Sequence, residues 1–189
     1  MTPQNAQGQA PGVERDVVRA VASVNDPEYP DVSIVDLGLL ERVTVTGSVA
    51  TIGLIPTFSG CPALQMIADD VRNAVEAVPG IERCEVEWLS APAWSTDRIS
   101  SSAARRLADD YTVVVRRSDG ELTCPVCGGH AVVDQSMAGP TRCRSVAWCP
   151  DCRNPIEVMR VDGDTGAWTS VEVRVGRSDE TRQGLEMAR

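Results

Sequence analysis

The seven cysteines sort into groups by spacing. Cys124-Pro125-Val126-Cys127 and Cys149-Pro150-Asp151-Cys152 are two C-x-x-C pairs with 21 residues between Cys127 and Cys149. Each pair folds back so that two sulfurs face one point, and two pairs supply the four thiolates of a tetrahedral metal site. Gly128 and Gly129 follow the first pair and relieve its turn. The interval slightly exceeds the usual one, but a loop between knuckles tolerates insertion. Zinc is the first expectation, because a small module poor in apolar residues needs a metal to hold its fold. Thiolate tetrads also hold iron, alone or as clusters. His130, the one histidine, follows the first knuckle. Four cysteines already fill a tetrahedral shell, so it reads as a surface or packing residue. Cys143 stands outside both knuckles. It reads either as a small buried hydrophobe or as an additional thiol facing an exchangeable metal or cluster.

Cys61 lies alone in Pro56-Thr57-Phe58-Ser59-Gly60-Cys61-Pro62-Ala63. A strand is expected to run into this stretch and a helix out of it. Pro62 suits a first helical position, where its missing N–H costs nothing. That places Cys61 at or near the N-cap, where orphan N–H groups and the positive helix end favour a thiolate. Thr57 and Ser59 can add hydrogen bonds. Cys61 is thereby a candidate metal ligand or nucleophile, against the alternative of a cysteine packing a strand–helix joint. With a single histidine in the chain, a nucleophile–base pair has little support, and a thiol enzyme is the weakest reading. Asp36 sits inside the apolar run Ser33 to Leu40 and needs a partner if buried. Otherwise it is a capping or loop aspartate. Cys84 alternates with Val86 and Trp88, which marks it as core.

The elements that must hold these residues are legible in outline. Met1 to Gly12 has no periodicity and is read as a disordered tail. Val17, Ala20, Val21 and Val24 predict a helix from about Val13 to Val24, stopped at Asn25-Asp26-Pro27. Asp26 to Pro30 reads as a stiff extended turn. Val43 and Val45, a turn at Gly47-Ser48 and a return over Val49 to Ile55 predict a hairpin. Leu64, Ile67, Ala68, Val71, Val75 and Val78 form the stripe of a helix closed by Pro79-Gly80. A half-buried strand follows around Cys84 to Trp88, and a short helix from about Arg98 to Asp109 after the capping residues Ser95, Thr96 and Asp97. The expected fold class is therefore α+β: residues 13–110 form a small sheet with helices packed on one face. Residues 111–121 are a linker or strand. A metal-binding β-ribbon module covers 122–160, and 161–189 holds one more strand, around Val171, Val173 and Val175, and a frayed tail.

Composition narrows the function. The formal net charge is −9, and Gly120 to Arg160 carries four arginines against four acids, so there is no basic footprint for nucleic acid. No apolar run is long enough to span a bilayer, so no membrane partner is expected. The polar N-terminus lacks the regions of a signal peptide, and the expected compartment is the cytoplasm. An odd cysteine count in a reducing compartment favours metals or reactive thiols over disulfides.

The motifs also carry a resemblance. Asp26-Pro27-Glu28-Tyr29-Pro30, Ser33-Ile34-Val35-Asp36-Leu37-Gly38-Leu39, Pro56 to Ala63 and Pro92-Ala93-Trp94-Ser95-Thr96-Asp97 resemble the successive motifs of the metal–sulfur cluster assembly (MIP18-like) domain. With the cysteine module attached, the chain resembles the PaaD-type family of phenylacetyl-CoA epoxidase subunits. Gly139-Pro140-Thr141-Arg142-Cys143-Arg144-Ser145 resembles the segment carrying an extra cysteine in that family. The resemblance implies a non-catalytic role in assembling or delivering iron–sulfur clusters, or in maturing the oxygenase that epoxidises phenylacetyl-CoA in phenylacetate degradation. It implies that Cys61 contacts iron or a transient iron–sulfur cluster, with Asp36 and Thr57 supporting its site. Client oxygenase or reductase subunits would be the partners, and a cluster bridged between two chains would make a homodimer. The alternative is a zinc-ribbon adaptor that stabilises a multisubunit oxygenase.

Overall fold

The computed structural model describes residues 12–116 and 122–159. The expected N-terminal tail, apart from Gly12, and the expected strand and tail beyond residue 160 lie outside the described residues. Helix α1, Val13–Ala22, buries Val17 and Val21. The chain then makes a two-stranded ladder of β1, Asn25–Asp26, and β2, Tyr29–Ser33. The Asp26–Pro30 segment expected to be only a stiff turn thus contributes to a ladder. Residues 34–38 form consecutive turns, and Leu37 and Leu39 point into the core.

The hairpin forms where its alternation and turn residues place it. Strand β3, Leu40–Thr46, pairs antiparallel with β4, Val49–Leu54. Helix α2, Leu64–Glu76, crosses over to β5, Arg83–Trp88, which runs parallel to β4. The sheet order is β3-β4-β5. The α2 stripe, Ile67, Ala68, Val71 and Val75, is buried, and α1 packs on α2 and β3.

Two boundaries differ from expectation. Helix α2 begins at Leu64 with Ala63 as its N-cap, so Pro62 is not a first helical residue. Thr96–Arg98 is a short 3-10 turn, and helix α3 runs Ser101–Tyr111 instead of starting at Arg98. The hydroxyl that caps α3 is that of Ser100, which accepts from Ala103 N at 3.1 Å. Thr96 is drawn inward instead, hydrogen-bonded to the Arg116 carbonyl. Arg98 straps the turn to the first sheet, donating to the carbonyls of Gly38 at 2.7 Å and Leu40 at 3.0 Å. Gly38 is required there: its φ is +77°, and an added Cβ would lie 2.4 Å from Arg98 Cβ.

The second sheet joins the two parts of the molecule. Strand β6, Val113–Val115, follows α3 and lies parallel to β9, Asn154–Met159. The full order is β6-β9-β8-β7, with β7 Val133–Ser136 and β8 Arg144–Cys149. Val113, Val115 and Met159 belong to the same buried cluster as α1, α2 and the first sheet. Among the described residues no helix is long and apolar enough to cross a membrane.

Candidate functional site

The four knuckle cysteines converge. Their sulfurs all lie within 4.8 Å of one another. Cys124 Sγ is 3.6 Å from Cys152 Sγ, and Cys127 Sγ is 3.6 Å from Cys149 Sγ. These separations are too long for a disulfide and match the edge of about 3.8 Å that a tetrahedron with metal–sulfur bonds of about 2.3 Å requires. The knuckles are built alike. Gly128 N donates to the Cys124 carbonyl at 2.9 Å, and Arg153 N to the Cys149 carbonyl at 2.8 Å. Both residues adopt positive φ, 74° for Gly128 and 59° for Arg153. The thiols hold their protons unequally. Cys152 is drawn down to about 6, chiefly by hydrogen bonding from Asn154. Cys127 is pushed up to about 12: hydrogen bonding from the Gly129 backbone favours its thiolate, but desolvation and the three other sulfurs outweigh it. A divalent cation relieves such crowding, so the donor set fits a thiophilic metal. His130 stays out of the set; it is exposed, with Nδ1 3.2 Å from the Thr123 hydroxyl.

Cys61 occupies a different environment. Its backbone N–H donates to the Phe58 carbonyl at 3.1 Å, and its own carbonyl accepts from Leu64 N at 3.3 Å. The thiol therefore sits on a turn two residues before the Ala63 N-cap and not on the cap itself. It is half-buried and lines a cleft of about 700 Å³. One wall of the cleft is Glu28, Phe58, Cys61, Pro62 and Ala63; the other is the β7–β8 loop of the cysteine module, from Met137 to Arg144. Cys143 lies on that loop, so the structure brings Cys61 and Cys143 to one cavity.

The β7–β8 loop is held from several sides. Gly139 N donates to the Arg144 carbonyl at 3.0 Å, a closure that a Cβ at 139 would foul at 2.7 Å. Arg144 Nε donates to the Thr141 hydroxyl at 2.9 Å, and that hydroxyl lies 3.1 Å from Cys143 Sγ. Arg144 also pairs with Glu157 at 2.5 Å and with Glu28 at 3.6 Å. Its guanidinium lies 5.6 Å from the Tyr29 ring centroid, and that of Arg142 lies 5.8 Å from the Phe58 centroid. Tyr29 is 3% exposed, stacks edge-on against Tyr111, and carries the one buried side-chain polar atom without a partner among the described residues. Cys143 Sγ lies 3.9 Å from a Glu28 carboxylate oxygen. Burial pushes the Cys143 thiol up, and the Thr141 hydroxyl partly opposes this.

The other expected site residues lie apart from this cleft. Thr57 lines a second cavity of about 550 Å³ on the other side of its loop, with Leu64, Trp88 and Trp94. Asp36 is exposed in the turns after β2. Its N–H donates to Ser33 Oγ at 3.0 Å, and its carbonyl accepts from Ser100 N at 2.8 Å. Cys84 is core, 4% exposed, as its alternation indicates. Glu28, Thr141 and Arg144 join the site without having stood out in the sequence as site residues. The available signal was their place within the two motifs that flank Tyr29 and Cys143.

Comparison with known proteins agrees with this two-part construction. The iron-sulfur cluster assembly protein family (FeS_assembly_P) matches residues 14–88, and the PaaD zinc beta ribbon domain matches residues 108–160. An Escherichia coli protein, named as a subunit of a "Putative 1,2-phenylacetyl-CoA epoxidase", is 30% identical over 158 residues, 80% of this chain and 94% of that protein. An "Fe-S protein maturation auxiliary factor" of Porphyromonas gingivalis is 37% identical over 95 residues, 50% of this chain and 90% of that protein. The "Fe-S protein maturation auxiliary factor SufT" of Staphylococcus aureus is 36% identical over 81 residues, 42% of this chain and 91% of that protein. The shorter relatives align with about half of the chain, whereas the first spans most of both proteins. The chain belongs to the PaaD-type family of phenylacetyl-CoA epoxidase subunits, an iron–sulfur assembly domain continued into a zinc ribbon.

Proposed function

We propose that this protein is an iron–sulfur maturation factor serving a multicomponent oxygenase of the phenylacetyl-CoA epoxidase type, and that it is an accessory protein and not the catalyst of the oxygenation. The observation that carries the reading is the contrast between two thiol sites in one molecule. Four sulfurs are already gathered to a closed tetrahedron, while Cys61 stands half-buried on an open cleft of the assembly domain. A closed tetrahedron suits a resident structural ion, and zinc in the ribbon is the reading that the matched ribbon family supports. An accessible thiol suits cargo that must leave. The names of the relatives, maturation factors and an epoxidase component, support the maturation role.

In this reading the residues have separate tasks. Cys124, Cys127, Cys149 and Cys152 hold the resident metal, which fixes the fold of the ribbon and so the β7–β8 loop. Cys61 contacts the iron–sulfur cargo. Asp36, through its backbone tie to Ser100, and Thr57, on the loop before Cys61, act as supports of the site through the backbone. The protein works in a reducing compartment, where seven unpaired thiols persist. The test is co-expression of the client's iron–sulfur component with wild type or Cys61→Ser. Cluster content of the client should fall at least tenfold with the variant, while the ribbon metal of the factor stays stoichiometric. Equal loading by both proteins would remove Cys61 from the role.

A second reading, a zinc-ribbon adaptor that stabilises the oxygenase, is favoured by one feature. Val133 and Trp148, directly paired across β7 and β8, remain 39% and 36% exposed. It expects stable co-purification with oxygenase subunits and undiminished client clusters in the Cys61→Ser background.

A further inference from the structure

Cys143 is the thiol that the maturation reading leaves without a task, and its position suggests one. The ribbon could have turned this loop anywhere; instead the loop closes over the assembly domain. Contacts on both flanks of Cys143 hold it there: Arg142 over the Phe58 ring, and Arg144 over Tyr29 and against Glu28. Phe58 belongs to the same turn as Cys61, through the hydrogen bond from Cys61 N to its carbonyl. The two thiols thus come from different modules and line one cavity.

The spacing limits what the cavity can take. Among the described residues, the ribbon cysteines form the one group of three or more ligating side chains whose donor atoms all lie within 4.8 Å of one another. Cys61, Cys143 and Glu28 do not form such a group, so the three together do not enclose a single ion. A polynuclear cargo has no such requirement. In an iron–sulfur cluster each iron has its own outer ligand positions, so two thiols that meet no third ligand at a single ion can still share one cluster. The cleft leaves about 700 Å³ between these walls.

We propose that the cargo is an intact iron–sulfur cluster held across the module boundary of a single chain, with Cys61 on one iron and Cys143 on another. The proposal rests on the maturation reading and specifies its ligands. Loading is ligand exchange. At each of two irons an Fe–S bond to a thiolate of this chain forms and a bond to a donor ligand breaks. The proton of each incoming thiol leaves with the departing ligand, and no iron changes oxidation state. The remaining outer positions stay with donor or client, which is what a transfer intermediate needs. Glu28 and Thr141 position the Cys143 sulfur from either side.

The experiment uses the full chain, purified anaerobically with its ribbon metal, and reconstituted with ferrous iron and sulfide. Iron, acid-labile sulfide and zinc are counted, and the visible spectrum is recorded, for wild type, Cys61→Ser, Cys143→Ser and the core control Cys84→Ser. Wild type and the control should retain iron and sulfide in equal amounts. Each cleft variant should retain at least fivefold less, with zinc content and melting temperature unchanged. Should Cys143→Ser lose zinc or melt early, Cys143→Val, which keeps the packing and cannot ligate, replaces it in the comparison. Wild-type iron, sulfide and spectrum in a folded Cys143 variant would overturn the bridging site. If Cys61→Ser still loses cargo and client loading in that case, the maturation reading survives without it. If neither variant alters client loading, the maturation reading itself falls.

Discussion

The ribbon tetrad and the interdomain cleft are both cysteine sites, and they differ in nearly every physical respect. The tetrad draws its ligands from two copies of one local turn, needs nothing from the other domain, and is preassembled. The cleft draws one thiol from each module, joins them in no group of three ligands, and stays open on one side. A complete shell favours retention, because the free energy of binding the ion is also free energy of folding the ribbon. An incomplete ligand set favours exchange, because an incoming partner can occupy the remaining positions. Cys84 is a third kind, sealed in the core on β5 and connected to neither.

The largest expected effect attacks the tetrad. Cys124→Ser should abolish stoichiometric metal binding and unfold the ribbon, read as loss of amide protection from Val133 to Met159, because the metal supplies much of the folding free energy of such modules. Cys61→Ser, in contrast, should shift overall stability by less than about 0.5 kcal/mol while sharply reducing client loading; a comparable unfolding in both variants would erase the distinction between them.

Arg144→Ala tests whether the cleft is a built surface. Arg144 bridges Glu28 and Glu157 and covers Tyr29, and its side chain is only 14% exposed. Losing charged hydrogen bonds of this kind costs about 2 kcal/mol. Hydrogen exchange should rise in residues 137–144 and leave the tetrad protected. Uniform exchange in both would mean that the loop and the knuckles move as one body.

Cys84 sharpens the contrast through pH. Burial, reinforced by the Glu76 carboxylate, pushes its thiol from 9.0 up to about 11. The folded state thus binds more protons than the unfolded one between these values. Stability from this source is complete below pH of about 9 and is lost as pH rises through about 11, to the extent of about 3 kcal/mol. Denaturation of the assembly domain across this window should show the loss, and Cys84→Ala should flatten it.

The smallest effect sits in the second knuckle. Arg153 holds φ at 59° where the first knuckle places Gly128 at 74°. Arg153→Gly should stabilise the ribbon by about 0.5–1 kcal/mol, the left-handed penalty less the entropy of glycine, measured as slower metal loss to a chelator. No change would mean that the two turns are not equivalent.

What was legible in the sequence follows from the range of the forces involved. The C-x-x-C knuckles are local, so spacing alone located the tetrad. The α2 stripe and the hairpin are periodic, and both formed as expected. The start of α2 was misplaced because Pro62 fits a pre-helical turn as well as a first helical turn, and the Cys61–Leu64 hydrogen bond selects the former. The capping residues before α3 offered several hydroxyls; Thr96 is tied to the distant Arg116 carbonyl, and Ser100 does the capping. The cleft was not readable from spacing. Its walls, Phe58 to Ala63 and Met137 to Arg144, lie far apart in the chain. Their meeting depends on Arg142, Arg144, Tyr29 and Glu28, which stand in two motifs whose pairing no local pattern announces.

The strand Val113–Val115 carries a practical consequence for dissecting the molecule. It follows the last helix of the assembly domain, yet it hydrogen-bonds as the outer strand beside β9. A fragment ending near residue 116 would carry three consecutive valines with an unpaired backbone edge, the kind of segment that seeds aggregation. A fragment beginning at residue 122 would expose β9, with Ile156 and Val158, along the same line. A cut at Thr112, between α3 and this strand, leaves it with the sheet it completes.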